Sequence, residues 1–246
     1  MSVPYAKLPS WVEYGLIPLI NLVVAFLVAG LVVLLVGESP LKAATLLVQG
    51  AFGYGEGLGF TLYYATNFIF TGLAVAVAFH CGLFNIGGEG QAYIGGLGVA
   101  IVALLLHDTF PWFLTFPFAI MAGAIFGAAW AFIPGYLQAK RGSHVVITTI
   151  MFNFIASSLM VYMLVEVLKP AGSMAPQTET FTAGGQIPRL DWLLSIFSLD
   201  IGGAPFNLTF LLALLAAFLV WVLIWRTRLG YEIRTMGASP SAARYA

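Results

Sequence analysis

The sequence predicts an all-α, polytopic integral membrane protein with about six transmembrane helices. Only 8% of the 246 residues are charged, whereas soluble domains contain about 25% charged residues. Hydrophobic residues make up 61% of the chain, and the mean hydropathy is +0.97. The formal net charge is zero, which argues against nucleic acid as a partner and leaves membrane lipid as the expected surroundings.

Six apolar segments approach the roughly 20 residues that a helix needs to cross a bilayer. They are residues 17–36, 62–79, 92–106, 113–133, 145–168 and 208–225. Residues 41–60 contain too many glycines for a confident span, so we expect a short helix at the membrane interface there. No small-residue cleavage site precedes the first span, which favours an uncleaved helix over a signal peptide.

The lysines and arginines indicate the orientation of these spans. Six alternating crossings place seven of the ten basic residues on one side, which we take as cytoplasmic: Lys7, Lys140, Arg141, Arg226, Arg228, Arg234 and Arg244. Both termini are therefore predicted to be cytoplasmic. Residues 169–207 become a periplasmic loop with proline and glycine turns, in which residues 190–197 form a short amphipathic helix.

A polar, glycine-rich segment joins the second and third spans without an ordinary hydrophilic loop. Irregular backbone at membrane depth is tolerated only where it is buried in protein or lines a wet cavity. The polar side chains suited to such a cavity are Asn85, Glu89 and Gln91, and Gly87 and Gly88 permit irregular backbone. The alternative is a tight cytoplasmic turn with Glu89 at a helix start, where the helix dipole favours an acid.

The fifth span carries Thr149 and Asn153, which are four residues apart and share one helical face. These side chains either line a pore or hydrogen-bond to a neighbouring helix, an interaction worth about 0.6–2 kcal/mol. Gly123 and Gly127 in the fourth span form a small-xxx-small pair, which indicates helix packing.

The composition changes abruptly after the sixth span, and the carboxyl-terminal residues 229–246 include many small and basic residues. Ser239 is a favourable N-cap, and Pro240 suits the first position of a helix, so we predict a short helix through residues 241–246. On the cytoplasmic side such a helix is either a docking surface or an amphipathic helix paired with lipid headgroups.

Three motifs, in order, resemble those of ABC importer permeases that serve nucleosides, simple sugars and branched-chain amino acids. Gly82–Gln91 is similar to the family pattern G-L-F-N-I-G-x-E-G-Q, and residues 140–156 and 230–246 resemble two others. The chain looks most like the nucleoside-type permeases. It departs from the family at His80, where arginine is frequent, and at His144, where glutamate is usual.

The resemblance implies a single transmembrane permease domain, residues 1–246, in a bacterial inner membrane. Its expected partners are an ABC ATPase subunit, a second permease subunit and an extracytoplasmic substrate-binding protein that meets the periplasmic loop. The permease is expected to bind no cofactor and to catalyse nothing, since ATP is hydrolysed on the partner. Family members continue through further spans, so the chain is expected to be incomplete at its carboxyl end.

The resemblance also assigns roles to particular residues. The translocation pathway is expected to include Asn85, Gly87, Gly88, Glu89, Gln91, Thr149 and Asn153. ATPase coupling is expected to involve Glu232, Ile233, Arg234, Gly237, Pro240, Ala242, Ala243 and Arg244. If the basic residue before position 81 pairs with Glu89, His80 would make that pairing weaker and sensitive to pH.

An ATP-independent transporter or channel is the competing function, since its pathway would use the same polar segment. A purely structural membrane subunit is a third possibility. The glycine clusters are not followed by the Gly-Lys-Ser/Thr of a phosphate loop, the three histidines lack metal-ligand spacing, and no nucleophile elbow is present. The sequence therefore offers no support for an enzyme.

Overall fold

The computed structural model describes residues 9–196, 198–241, 243 and 245, and in this part of the chain the regular structure is helical. The α-helices are α1 (Ile17–Leu35), α2 (Pro40–Phe52), α3 (Gly55–His80), α4 (Gly88–Leu106), α5 (Trp112–Arg141), α6 (Val145–Tyr162), α7 (Asp191–Ser195), α8 (Thr209–Arg226) and α9 (Arg228–Ala238). Turns of π-helix at Val12–Leu16 and Met163–Val167 extend α1 and α6, and a 3₁₀ turn occupies Ala183–Gly185.

The expectation of six membrane helices is confirmed. Six helical stretches among the described residues are long and apolar enough to cross a bilayer: Val12–Leu35, Gly55–His80, Gly88–Leu106, Trp112–Arg141, Val145–Val167 and Thr209–Arg226. Many of their threonine and serine hydroxyls donate to the carbonyl four residues earlier in the same helix. These bonds satisfy the hydroxyl groups without water.

The two largest errors in the predicted boundaries each fall at a residue type that usually interrupts helices. The second span begins at Gly55 rather than at residue 62. The fourth continues through Pro134 to Arg141 instead of ending at residue 133, because neighbouring helices and local adjustments can compensate for proline in membrane helices. Gly142, with φ of +67°, then ends the helix in the left-handed conformation that favours glycine.

Residues 9–61 and 198–204 form one compact unit. The expected short helix in residues 41–60 is present as α2, which Ser39 caps by accepting from the Lys42 N–H at 3.4 Å. Two glycines in this unit allow the backbone of α3 to lie close to neighbouring segments. A methyl group on Gly57 would lie 2.1 Å from the Gly50 carbonyl oxygen, and one on Gly59 would lie 2.7 Å from Ala204 Cβ.

Residues 62–196 and 205–245, apart from the undescribed positions, form the second unit, in which α4 is central. Its packing against α5 depends on glycine. A methyl group on Gly98 would lie 2.7 Å from the Phe126 ring and 3.0 Å from the Ala122 carbonyl oxygen. One on Gly95 would lie 3.2 Å from the carbonyl oxygen of Gly123, which agrees with the predicted packing role of the glycines in the fourth span.

The end of α4 holds the loop segment 181–187 through His107, which is buried. The Thr182 N–H donates to His107 Nδ1 at 3.0 Å, which fixes this ring nitrogen as an acceptor. The Thr182 hydroxyl donates to the His107 carbonyl, and the Phe181 ring meets the imidazole edge to face. Further along the loop, the predicted short helix appears as α7, and residue 197 lies outside the described residues.

The carboxyl-terminal helix differs from the prediction. Thr227 has extended backbone and separates α8 from α9, and its hydroxyl caps α9 by accepting from the Gly230 N–H at 3.1 Å. Ser239 therefore follows a helix as its C-cap. One further helical hydrogen bond joins the Ala243 N–H to the Ser239 carbonyl at 3.0 Å. The predicted helix through residues 241–246 falls largely on positions outside the described residues.

The α4–α5 contact predicts a difference between two glycines of one helix. Gly98→Ala should lower the free energy of unfolding relative to Gly96→Ala by about 1–3 kcal/mol, the usual cost of overpacking. A methyl group on Gly96 meets nothing within 4 Å, and both variants gain the same helix propensity. Thermal unfolding of the purified variants in detergent measures the difference, and equal stability would contradict the close packing.

Candidate functional site

The polar segment between α3 and α4 is a compact turn. α3 ends at His80, Gly82 follows with φ of +74°, and Gly87 is the residue before α4. Glu89 lies in the first turn of α4 with its side chain exposed, and its Oε1 accepts from the Tyr93 hydroxyl at 3.3 Å. The local geometry is that of the second interpretation, a tight turn with an acid at a helix start.

The Asn85 side chain accepts a hydrogen bond from the backbone of the turn. Its Oδ1 accepts from the Gly87 N–H at 2.8 Å, a local bond typical of turns that contain asparagine. Its amide also faces the Gln91 amide, with both N···O pairs at 3.5 Å. Two of the predicted polar residues therefore contact each other across the start of α4.

Asn153 ties this turn to α6. Its Oδ1 accepts from the Gly90 N–H at 2.9 Å, and its Nδ2 donates to the Ile86 carbonyl at 3.0 Å. The first N–H groups of a helix have no partner within the helix, so one asparagine supplies an acceptor to α4 and a donor to the turn before it. Asn153 thus makes the interhelical bonds that its sequence pattern allowed.

Thr149 packs against the same turn without offering its hydroxyl to it. The side chain is only 2% exposed, and the hydroxyl donates to the Val145 carbonyl at 2.8 Å. A methyl group on Gly87 would lie 3.0 Å from Thr149 Cβ. The structure therefore places Thr149 as a packing surface for the turn.

The glycines of the turn are not equivalent. A methyl group on Gly90 would lie 2.9 Å from Asn153 Oδ1, and one on Gly87 would lie 2.9 Å from Asn85 Oδ1. At Gly88 it would meet nothing within 4 Å. Gly87 and Gly90 are thus required by the close approach of side-chain amides, whereas Gly88 is not.

The helix α9 contacts the other side of the turn through Gly237. A methyl group on Gly237 would lie 2.2 Å from the His80 carbonyl oxygen and 3.0 Å from the Gly82 nitrogen. Gly230 lies seven residues earlier, hence on the same helical face, and a methyl group there would lie 2.0 Å from the Leu223 carbonyl oxygen. Two glycines let α9 lie directly on the ends of α8 and α3.

Contacts with the Trp225 ring also hold α9 against the ends of α3 and α8. The Arg234 guanidinium lies 4.6 Å from the centre of the Trp225 ring, and the His80 ring meets the same indole edge to face at 5.8 Å. His80 Nδ1 lies 2.8 Å from the Ala76 carbonyl oxygen. His80 therefore contacts α8 and its own helix, and the described residues contain no ion pair between His80 and Glu89.

The residues expected to couple to an ATPase divide between two faces of α9. Arg234, Gly237 and the half-buried Ile233 face the protein. Glu232 is exposed and pairs with Arg228 at 3.6 Å, and Pro240 is exposed beyond the helix. Ala243 is half-buried, and Ala242 and Arg244 lie outside the described residues.

The sequence did not indicate a cavity of about 680 Å³ in the second unit. It lies among α3, α4, α5, α8 and the segment 181–187. Its polar lining residues are Asn67, Gln91, Thr115, Gln186 and Thr209, of which only Gln91 was predicted as a site residue. No local motif marks the others, because they come together only when the helices pack.

Residues 57–246 match the family model described as "Branched-chain amino acid transport system / permease component". The chain belongs to this family. The match covers the polar turn, the Asn153 contact and α9, so these contacts are formed by residues that the family model includes.

Three curated relatives are similar over almost the whole chain. Nucleoside ABC transporter permease protein NupB of Lactococcus lactis is 33% identical over 94% of the chain and 63% of the relative. Guanosine ABC transporter permease protein NupP of Bacillus subtilis is 33% identical over 94% and 64%. Glucose ABC transporter permease protein TsgB13 of Haloferax volcanii is 30% identical over 99% and 63%.

The chain thus spans less than two thirds of the length of each of these three relatives. No solved structure matches the chain.

The two bonds of Asn153 predict that Asn153→Ala lowers the free energy of unfolding by about 1–2 kcal/mol. Ser158→Ala is the matched control on α6, because it removes only a bond to the Phe154 carbonyl of the same helix. It should change stability by less than about 0.5 kcal/mol. Thermal unfolding in detergent compares the two variants, and equal effects would show that the Asn153 bonds contribute nothing specific.

The contact of Gly237 predicts that Gly237→Ala loosens α9. Trypsin cleavage after Arg234 should become roughly tenfold faster, since a packing cost above about 1.4 kcal/mol raises the open population by that factor. Ala238→Ser adds one atom at the neighbouring exposed position and should leave the cleavage rate unchanged. Equal cleavage of the wild type and Gly237→Ala would refute the contact.

Proposed function

We propose that the chain is the transmembrane permease part of an ATP-binding-cassette importer for nucleosides or simple sugars. The observation that carries the proposal is that α9 contacts the polar turn directly, in a chain that belongs to this permease family. The names of the relatives add support, since they include nucleoside, guanosine and glucose permeases.

In this proposal α9 is the element that receives force from a separate ATPase subunit. Its inner face is seated by Gly230, Arg234 and Gly237, so a push on its outer face reaches the turn without an intervening flexible loop. Its outer face offers an exposed ion pair between Arg228 and Glu232. ATP is bound and hydrolysed on the partner, and the permease itself performs no chemistry.

The proposed assembly contains a second permease subunit and an extracytoplasmic binding protein in a bacterial plasma membrane. Within its own compact unit, most apolar side chains of α1 are exposed, as they would be against lipid or a second subunit. The basic residues favour a cytoplasmic amino terminus. The segment 169–207 then faces the binding protein, and the polar turn of residues 82–91 lies at the cytoplasmic end of the solute path.

The test uses the complete permease, reconstituted in proteoliposomes with its co-purified ATPase and permease subunits and supplied with the binding protein. ATP-dependent uptake of radiolabelled guanosine and glucose is measured for the wild type and for Glu232→Arg. We expect the variant to lower uptake by about tenfold, because reversing a charge at a docking surface places like charges together. Glu13→Arg is the control, since Glu13 is exposed near the amino-terminal end of the first span.

Uptake that continues without ATP would contradict the proposal and favour an ATP-independent transporter or channel. ATP-driven uptake that is unchanged in Glu232→Arg would contradict the role of the outer face of α9 while leaving the importer assignment in place.

A further inference from the structure

The cavity of about 680 Å³ extends along most of α4. Gln91 lines it near the start of the helix and Ala103 lines it near the end, a separation of about 18 Å at 1.5 Å per residue. Gln91 adjoins the polar turn, and the segment 181–187 lines the far part of the cavity. The cavity therefore lies beside a membrane helix for more than half of the bilayer thickness.

Asn67 is the residue that distinguishes this cavity from a packing defect. It is the thirteenth of the 26 residues of α3 and therefore lies in the middle of a membrane helix. Its side chain lines the cavity and makes no hydrogen bond with the rest of the described chain. Asn67 is exposed within the described chain, and an amide in hydrocarbon without a partner is costly, so water or a solute that enters the cavity can satisfy it.

The remaining lining residues define the chemistry of that solute. None of the described lining residues is charged, and four are aromatic: Phe70, Trp112, Phe116 and Phe181. A ligand site of this kind is mostly apolar with a few polar groups, and its volume falls within the usual 300–1,000 Å³. Aromatic faces favour a planar ring, and amides at Asn67 and Gln91 suit hydroxyls and ring nitrogens.

The outer part of the cavity is fixed in place. The Gln186 amide donates to the Phe181 carbonyl at 2.8 Å, and His107 holds the adjoining Thr182 by the bonds described above. The Thr209 hydroxyl is likewise occupied by Asn207. Among the described polar lining residues, Asn67 is therefore the one in the middle of a membrane helix whose side-chain amide makes no hydrogen bond within the described chain.

We propose that this cavity is a nucleoside-binding site contained within one permease subunit, with Asn67 as the specificity-determining residue in the middle of the membrane. The inference rests on the proposed function and goes beyond it, because it assigns the solute to a cavity inside the helix bundle of one chain. It also favours nucleosides over simple sugars, since the aromatic lining suits a planar base.

Gly96 offers a test that does not disturb the packing. It lines the cavity, and a methyl group there meets nothing within 4 Å, so Gly96→Leu fills the cavity without striking the backbone. Gly135→Leu is the matched control, because Gly135 is also helical with no atom within 4 Å of an added methyl group and does not line the cavity.

Guanosine uptake by the complete importer should fall at least about tenfold in Gly96→Leu, since a single methylene in a pocket changes recognition by roughly 10–200-fold. Gly135→Leu should transport as the wild type does. Normal uptake by Gly96→Leu would overturn the cavity site while leaving the importer intact. Absence of ATP-driven uptake by the wild type would overturn the importer assignment and the cavity site together.

A second measurement detects binding without transport. Cys81 is the only cysteine of the 246 residues. In a complete importer in which Cys81 and every other cysteine are replaced by serine, Gly96→Cys is the single site that a water-soluble thiosulfonate labels. Guanosine should slow this labelling, and Asn67→Leu should abolish the protection, whereas Asn67→Gln should retain part of it. If guanosine does not change the labelling rate of the protein that retains Asn67, the proposed site is refuted.

Discussion

The first N–H groups of a helix have no partner within that helix, and supplying partners where α4 begins is the constraint on which the rest of the site depends. The turn between α3 and α4 meets it with two asparagines. Asn85 accepts from the turn, and Asn153 reaches across from α6 to bond with Gly90 and Ile86. These bonds require the amides to approach the backbone closely, which explains why Gly87 and Gly90 have no side chain.

The same turn is also where α9 meets the rest of the second unit. Gly237 contacts the His80 carbonyl, and Arg234 lies on Trp225. On its other side the turn leads into α4 and to Gln91, which lines the cavity. A single short segment therefore connects the surface proposed to meet the ATPase with the proposed solute site, and each connection is a direct contact.

Hydrophobic length predicted the six spans well, because a helix must cross a layer of nearly fixed thickness. The errors arose where tertiary packing decided the role of a residue. Gly57 and Gly59 let α3 approach α2 and Ala204 closely, and Pro134 lies inside α5. Sequence also located Asn85 and Asn153. It did not reveal that Arg234 faces inward or that Asn67 lines a cavity, because both facts depend on which helices are neighbours.

In the proposed importer, α9 and the polar turn move as one unit when an ATPase subunit binds. Hydrogen–deuterium exchange of the complete importer, with and without a non-hydrolysable ATP analogue, tests this motion. We expect amide exchange to change together in residues 82–90 and in Arg228–Ala238. A change confined to Arg228–Ala238, with residues 82–90 unaffected, would contradict it.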